Sequence, residues 1–266
     1  MMIFLKTDEE VALLKEANQL VGRTLAEVAK LIKPGVTTTQ LSKVAEEFIR
    51  DNGAIPTFMG FPNQDGLPFP AAICTSVNDM VIHGIPDDTE LKDGDIVSVD
   101  CGTLLNGFCG DSAYTFCVGE VAEDVRQLLK VTKQALYKGI ENAVAGKRLG
   151  DIGSSIQSHC ESYGYGVVRE FVGHGIGREM HEDPAVPNYG RRGTGTLLKK
   201  GMCIAIEPMI TSGDKKITFM NDGWGICTCD HKPAAHFEHT VAVRSGKAEI
   251  LSSFDYIEQV LGEREF

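Results

Sequence analysis

The sequence predicts an α+β fold in which helices cover one face of an antiparallel sheet. Segments with helical periodicity and segments rich in β-forming residues occupy separate blocks, whereas an α/β protein would alternate them. Along the 266 residues the blocks run helices, strands, helices, strands and one last helix. Because the block pattern occurs twice, it suggests two similar halves, although the sequence contains no residue-level repeat.

The first block predicts two helices with matching start signals. Apolar residues recur at helical spacing through residues 11–31 and again through residues 41–48. Pro34 with Gly35 predicts the end of the first helix, and Gly53 predicts the end of the second. A Thr precedes each helix and a Glu or Gln follows three positions later, which is the pattern of a capping box: Thr7 with Glu10, and Thr37 with Gln40.

The remaining blocks are interpreted in the same way. Residues 55–120 contain short β-rich runs separated by Gly, Pro, Asn and Asp, which predicts strands and turns. Residues 121–163 return to helical spacing, with a second short helix expected over residues 151–163. Ser253 is the expected cap of a last short helix that ends near Glu263. Four further strands are predicted, at residues 167–172, 202–210, 236–243 and 248–251.

Composition and charge exclude several classes of function. The chain carries 26 Lys and Arg against 37 Asp and Glu, so its net charge is −11 and its pI is near 5.1. A general nucleic-acid binder would instead present a basic stripe. The sequence contains no apolar run long enough to span a membrane. The apolar opening residues lack the basic region of a signal peptide, so export is not expected.

Cysteine usage indicates a reducing compartment. Eight cysteines occur without an export signal, which predicts reduced thiols in a cytoplasmic protein rather than a disulfide framework. Cys227 and Cys229 offer an alternative, half of a zinc site. The gap between them is tighter than the usual spacing and no second cysteine pair follows, so this alternative is disfavoured.

Four carboxylates and one imidazole are predicted to share a metal site. Asp100 closes one strand-like run and Asp111 opens the next, His174 lies between glycines, and Glu207 and Glu238 lie in apolar runs. A carboxylate inside an apolar strand is costly unless it is paired, protonated or bound to a cation. Hard oxygen ligands with one imidazole suit Mn, Fe, Co or Zn. Four carboxylates are too many for a single tetrahedral zinc ion, so the set fits a pair of ions bridged by carboxylates.

Taken singly, several of these residues have simpler explanations. An acid at a strand end, as expected for Asp100 and Asp111, is commonly a turn residue, and His174 could merely fill a turn. Glu207 is harder to explain in this way, because three apolar residues precede it and Pro208 follows. The constellation, more than any one member, therefore indicates a metal centre.

Two further histidines are candidates for handling a peptide bond. His83 lies in an apolar segment just before a glycine, and His181 precedes an acidic pair. A neutral imidazole can donate to a carbonyl oxygen or accept from an amide, so both suit this task. The remaining four histidines receive only a structural interpretation from the sequence: His159, His231, His236 and His239.

The order and spacing of these residues resemble the type I methionine aminopeptidases over roughly residues 7–251. The segment that ends in His83-Gly84-Ile85-Pro86 is similar to the family's substrate-histidine segment. The resemblance implies the pita-bread fold, two pseudo-symmetric α+β halves with the metals between them, and residues 1–266 as a single catalytic domain. The segments that carry it are residues 76–86, 99–102, 110–113, 173–177, 206–208 and 237–240.

The resemblance also implies a role for each candidate residue. Asp100 would chelate the first of two divalent ions (Co, Mn, Fe, Zn or Ni), Asp111 and Glu238 would bridge both, and His174 and Glu207 would complete the second. His83 and His181 would contact the scissile peptide, and Glu207 would shuttle the proton. Residues 62–70 are longer than in many relatives, which leaves Phe69 unassigned. Five positions match the family's methionine pocket: Phe58, Phe61, Cys74, Met180 and Trp224.

The implied activity is removal of the initiator methionine from nascent proteins and peptides whose second residue is small. The expected setting is the cytoplasm, near the ribosome, with a monomeric enzyme and no direct nucleic-acid or membrane partner. The nearest alternative is an Xaa-Pro aminopeptidase or prolidase, which shares the fold and ligands but usually carries an additional N-terminal domain. A non-catalytic peptide-binding module on the same fold is the other alternative, and such relatives have lost ligands that are all present here.

Overall fold

The structure is a computed structural model that describes residues 3–262 and residue 266. No helix in this described part is long and apolar enough to cross a membrane. The helices are α1 (Asp8–Leu31), α2 (Thr38–Asp51), α3 (Glu123–Ile140), α4 (Leu149–Ser162) and α5 (Asp255–Leu261). The strands are β1 (Ile55–Pro56), β2 (Ile73–Val77), β3 (Met80–Ile82), β4 (Ile96–Leu105), β5 (Phe108–Cys117), β6 (Gly166–Val167), β7 (Gly173–Gly175), β8 (Glu182–Val186), β9 (Cys203–Ile206), β10 (Met209–Thr211), β11 (Ile217–Phe219), β12 (Ile226–Thr228), β13 (Ala234–His236), β14 (His239–Ala242) and β15 (Glu249–Ile250).

Both predicted capping boxes are confirmed. Thr7 Oγ1 accepts from the Glu10 amide at 3.2 Å while the Glu10 carboxylate accepts from the Thr7 amide at 3.1 Å. Thr37 and Gln40 make the same reciprocal pair at the start of α2. Each box satisfies amide groups that the first helical turn leaves without intrahelical partners.

The strands form antiparallel sheets, as predicted. In one half, α1 and α2 pack on a sheet with the order β1-β4-β2, to which β5 is added at β4. In the other half, α3 and α4 pack on strands of the second half, where the largest sheet has the order β15-β14-β9-β7-β8. The main hydrophobic core joins both halves and contains fully buried residues from each, such as Leu25, Val99, Leu129 and Val241. Burying each such side chain contributes about 1.5–3 kcal/mol.

Close packing of α1 on the β4–β5 hairpin depends on one glycine. A Cβ atom at Gly110 would lie 2.6 Å from the Ala17 carbonyl carbon of α1. Only a residue without a side chain therefore lets β5 approach the helix this closely. The contact matters for the site because Asp111 is the next residue of β5.

Three strand predictions were wrong in extent. The strand expected over residues 167–172 is limited to β6, and the two runs at 202–210 and 236–243 are each interrupted. The first of these breaks falls at Glu207 and Pro208, between β9 and β10. Proline has no amide to donate to a ladder, so it interrupts a strand that, like β9 and β10, has neighbours on both sides.

The two interruptions face each other. Ile206 of β9 pairs with His239 of β14, and Met209 of β10 pairs with His236 of β13. The β9–β10 segment and the β13–β14 segment therefore leave one sheet and enter another at the same corner. Glu207 lies in the first break and Glu238 in the second.

The last helix also begins later than predicted. Phe254 precedes α5, and Ser253 Oγ accepts from the Asp255 amide at 3.1 Å instead of capping the helix from the expected position. The helix extends to Leu261, and the expected end near Glu263 lies outside the described residues.

Candidate metal centre

Two aspartates lie side by side on the β4–β5 hairpin. Asp100 is opposite Ala113, and Asp111 is opposite Gly102, so the two carboxylates are diagonal neighbours on one face of the sheet. Both lie well inside ten-residue strands, not at strand ends as expected from the sequence. A turn role is therefore excluded for both.

The backbone around Asp111 is held from two directions. The Asp111 amide donates to Asn18 Oδ1 of α1 at 3.1 Å, and Thr240 Oγ1 of β14 donates to the Asp111 carbonyl at 2.9 Å. These bonds connect both halves of the fold to one ligand candidate. The carboxylate therefore belongs to a rigid part of the protein.

Two glutamates approach the aspartates from the second half. The Glu238 amide donates to the Ala113 carbonyl at 2.9 Å, and Ser112 Oγ donates to the Glu238 carbonyl at 2.6 Å. The Glu207 carbonyl accepts from Asn188 Nδ2 at 2.9 Å. The first two bonds hold the break at Glu238 beside β5, and the third fixes the backbone of Glu207 to the segment after β8.

His174 completes the group from β7. Its Nδ1 lies 2.8 Å from the Gly175 carbonyl, which can only accept, so Nδ1 carries the proton and Nε2 is left with a lone pair. Nε2 lies 3.5 Å from Asp111 Oδ2 and 3.7 Å from Glu207 Oε1. One ligand atom each from Asp111, His174 and Glu238 lie within 4.8 Å of one another.

The four carboxylates, here called the carboxylate cluster, carry the electrostatic signature of a cation site. Burial raises the pKa of Asp111 to about 8. Burial first, and then neighbouring carboxylates, raise the pKa values of the other three members well above the ordinary range: Asp100, Glu207 and Glu238. Among the described residues, no hydrogen-bond partner reaches the buried oxygens Asp100 Oδ1, Asp111 Oδ1 and Glu238 Oε1. Unpaired buried carboxylate oxygens beside an imidazole lone pair fit a divalent ion.

The cluster forms the floor of a cavity of about 520 Å³ with largely apolar walls. Two peptide-handling candidates, His83 and His181, lie on this cavity. Four of the five predicted pocket residues line the cavity: Phe58, Phe61, Cys74 and Trp224. Phe69 and Phe171, which were not assigned to the pocket from the sequence, also line it.

The fifth predicted pocket residue lies behind the wall. Met180 does not line the cavity in the described part of the chain; it is 5% exposed and packs in a core cluster against Phe58 and Phe61. The sequence could not show this difference, because Met180 and His181 are adjacent in the chain and yet only His181 lines the cavity. Met180 therefore supports the pocket residues from behind.

Comparisons with a family model, with curated relatives and with solved structures all identify the same family. The model of metallopeptidase family M24 matches residues 12–245. A methionine aminopeptidase of Clostridium acetobutylicum is 51% identical, over 94% of this chain and 99% of the relative. The chain belongs to the methionine aminopeptidases of metallopeptidase family M24. A crystal structure of methionine aminopeptidase from Rickettsia prowazekii has a TM-score of 0.91 and 42% identity, covering 95% of this chain and 100% of that one.

The shared pita-bread fold extends beyond methionine aminopeptidases. A prolidase from Pyrococcus furiosus has a TM-score of 0.74 at 24% identity, covering 94% of this chain and 65% of that one. A likeness at that identity shows the fold alone. The relatives at 40–51% identity are methionine aminopeptidases, so the Xaa-Pro alternative is not favoured.

The two histidines predicted to handle the peptide bond are neutral and lie against aromatic rings. Burial lowers the pKa of both His83 and His181 to about 4. His83 makes edge contacts with Phe171 and Trp224, and the ring of His181 lies 5.2 Å from that of Phe61. His83 also has a φ of 59°, in the left-handed region that non-glycine residues rarely occupy.

Sequence analysis missed a third histidine beside the cluster. His236 is 2% exposed, and its Nε2 lies 3.7 Å from Glu207 Oε2 with no hydrogen-bond partner among the described residues. Burial lowers its pKa to about 3, so the ring is neutral. The available signal was its position two residues before Glu238 in a predicted strand, where alternate residues share a face.

His239 and the Cys227–Cys229 pair do not belong to the carboxylate cluster. His239 is turned away, with Nδ1 2.6 Å from Ser252 Oγ and its ring stacked on Phe254. All eight cysteines are in the described part of the chain and are free thiols. Cys229 is exposed, and the ligand group found in that part does not include Cys227 or Cys229, so the half zinc site has no support.

Proposed function

We propose that this enzyme uses two divalent ions to remove the N-terminal methionine from peptides whose second residue is small. The observation that supports this function most directly is the carboxylate cluster with His174 at the floor of an apolar cavity. Asp100 would hold the first ion, Asp111 and Glu238 would hold both, and His174 and Glu207 would hold the second. These roles follow the family resemblance and are supported by the unpartnered oxygens and raised pKa values.

The charge of the cavity favours a free amino terminus. The floor is acidic, whereas the walls are formed by rings such as Phe58 and Trp224. A cationic α-amino group is attracted to the floor, and opposite charges interact more strongly away from bulk water. An internal peptide segment has no such group, so removal of the terminal residue is favoured over internal cleavage.

The bound ions would lower the pKa of a water molecule and polarise the scissile carbonyl. His181, neutral and within the cavity, is suited to donate a hydrogen bond to the carbonyl oxygen as negative charge develops there. His83 is suited to contact the same peptide group from the part of the wall that contains Phe171 and Trp224. A carboxylate oxygen of Glu207 would take the proton of the water and pass it to the leaving amine.

The chemistry of the walls suits methionine. An unbranched thioether adapts to an irregular apolar space, and sulfur–aromatic contacts contribute about 0.3–1.5 kcal/mol. Phe58, Phe69 and Trp224 supply the rings, and Cys74 belongs to the same packed group. These residues are therefore assigned to the pocket for the methionine side chain.

The wider setting is also proposed from the family. Residues 1–266 would act as a single catalytic domain, as a monomer in the cytoplasm, on chains emerging near the ribosome. Free thiols throughout the described chain are consistent with a reducing compartment.

One assay separates the proposed function from its alternatives. Protein loaded with Mn²⁺ or Co²⁺ is given Met-Gly and Xaa-Pro peptides, with and without a chelator, and released amino acids are quantified. Metal-dependent release of methionine from Met-Gly alone is expected. Cleavage of Xaa-Pro peptides regardless of the first residue would identify the prolidase-like alternative, and no cleavage at any metal load would identify a binding module.

A further inference from the structure

Residues 62–70, here called the 62–70 loop, fold as a small hairpin, and Phe69 of this loop lines the cavity. Pro62 pairs with Pro68, the Asn63 amide donates to the Leu67 carbonyl at 2.9 Å, and the Gly66 amide donates to the Asn63 carbonyl at 3.0 Å. At its base the Gly60 amide donates to the Phe69 carbonyl at 2.8 Å. The position of Phe69 in the cavity wall therefore depends on the shape of this loop.

The side chain of Asn63 does two things at once. Its Oδ1 accepts from the amides of Asp65 and Leu67, at 3.0 and 2.8 Å, which stabilises the turn of the loop itself. Its Nδ2 donates to the Gly223 carbonyl at 2.9 Å, in the turn between β11 and β12. The oxygen thus shapes the loop, and the nitrogen attaches it to a second hairpin 160 positions further along the chain.

The turn that receives this bond carries the only tryptophan. Trp224 follows Gly223 directly, and its amide donates to Asp222 Oδ1 at 2.8 Å, as does the Gly225 amide. The sequence contains one tryptophan, and its ring packs edge-on against Phe69 with centroids 5.1 Å apart. Two cavity residues from distant parts of the chain, Phe69 and Trp224, therefore meet next to the residues that the Asn63 bond joins.

Packing at the tip reinforces the attachment. A Cβ atom at Gly223 would lie 3.0 Å from Leu67 Cδ2, so the loop is in close contact with the turn. Gly223 has a φ of 79°, which a glycine adopts without strain.

We propose that Asn63 is a specificity-determining positioning residue, which attaches the 62–70 loop to the β11–β12 turn and so sets the distance between Phe69 and Trp224. The group that this site selects is the side chain of the first residue of the peptide. An unbranched apolar side chain would enter between the rings of Phe69 and Trp224. Without the attachment the two walls separate, and branched side chains such as leucine enter more easily. The specificity half of this proposal rests on the proposed function, whereas the attachment itself does not.

Two substitutions separate the two bonds of Asn63. Asn63→Asp retains an oxygen for the Asp65 and Leu67 amides but removes the donor to Gly223. Asn63→Ala removes both. Asn142→Ala is the matched control, because Asn142 Nδ2 also donates to a backbone carbonyl, that of Lys138 at 2.8 Å, and lines a different cavity.

The first measurement is the fluorescence of Trp224, which reports on the attachment without any activity. In full-length, metal-free protein, acrylamide should quench Trp224 more strongly in both Asn63 variants than in the wild type or Asn142→Ala. The second measurement is kcat/KM for Met-Ala and Leu-Ala peptides in metal-loaded protein. Both Asn63 variants should lower the preference for Met about 3- to 10-fold, the effect of one net hydrogen bond, mainly through KM for the Met peptide.

Each other outcome overturns part of the reasoning. Unchanged quenching and unchanged preference in both variants would refute the attachment. A change in Asn63→Ala but not in Asn63→Asp would assign the effect to the loop's own turn and refute the bond to Gly223 as its cause. Wild-type protein that fails to cleave Met-Ala would refute the proposed function, while the quenching result would still decide the attachment.

Discussion

Removing the metal should make the stability of the protein fall as the pH rises from 6.5 to 8. In the metal-free folded state, burial raises the pKa of Asp111 to about 8, against an ordinary value of 3.8. The folded state therefore keeps a proton on Asp111 in this window that the unfolded chain has already lost. Stability falls with pH wherever the folded state binds more protons than the unfolded state.

The magnitude follows from the width of the window. Each pH unit costs about 1.4 kcal/mol per retained proton, so Asp111 alone should lower the free energy of unfolding by about 2 kcal/mol. The other members of the carboxylate cluster, whose pKa values are also raised, act in the same direction.

The limits of the window come from other groups. The buried histidines oppose the trend up to about pH 7.5, because the unfolded chain keeps part of its histidine protons there, whereas burial holds the folded-state pKa at about 4 for His174 and about 3 for His236. A lowered histidine pKa removes stability as the pH falls through 6.5. Above pH 8 the buried thiols begin to contribute, since burial raises the pKa of Cys203 to about 12.

The assay is urea unfolding at four pH values between 6.5 and 8, followed by far-UV circular dichroism, for chelator-treated and metal-loaded protein. With a slope of about 1–3 kcal/mol per M urea, the metal-free midpoint should fall by about 1 M. Metal-loaded protein should lack this decline, because bound ions would keep the carboxylates ionised at all four pH values. Asp111→Asn should make the metal-free decline less steep, because only the other three raised carboxylates then contribute to it. Parallel curves with and without metal would refute the electrostatic reasoning.

Four further predictions concern catalysis. Glu207→Ala should lower kcat at least about 10²-fold without loss of helical content, and a variant that keeps most of its kcat would exclude Glu207 as the proton shuttle. His181→Ala should lower kcat far more than metal content; loss of both ions by elemental analysis would make His181 a ligand. His236→Leu should lower kcat/KM about 10- to 100-fold because the polar ring beside Glu207 is replaced by an apolar side chain, and His236→Gln, which keeps a polar group there, should recover most of the activity. Equal activity of the two variants would exclude this role. In a Met-Xaa-Gly series, kcat/KM should fall about 5- to 200-fold from Gly or Ala to Leu or Lys, since displacing packed walls costs about 1–3 kcal/mol; equal cleavage would exclude a narrow cleft.

Much of the fold follows from local signals in the sequence. The capping boxes at Thr7 and Thr37 involve residues only three positions apart, so their geometry does not depend on the rest of the chain. The segregation of helices and strands likewise reflects short-range periodicity. The metal centre was predictable for a different reason, because four carboxylates in apolar segments require a counter-charge wherever the strands pair.

Positions within the elements depended on long-range contacts. Asp100 and Asp111 were expected at strand ends, but pairing along the β4–β5 hairpin extends both strands beyond the carboxylates. The strand breaks at Glu207 and Glu238 face each other because the β9–β10 and β13–β14 segments pair with each other in both sheets.

The composition of the cavity wall shows the same division. Residue types alone indicated an apolar pocket, but only the tertiary structure placed Met180 behind it, Phe69 in it and His236 beside Glu207. The physical reason is that side-chain direction in loops and at sheet corners depends on contacts between residues far apart in the chain. The sequence by itself therefore determined the elements and the chemistry of the site, and tertiary packing decided which side chains face each other.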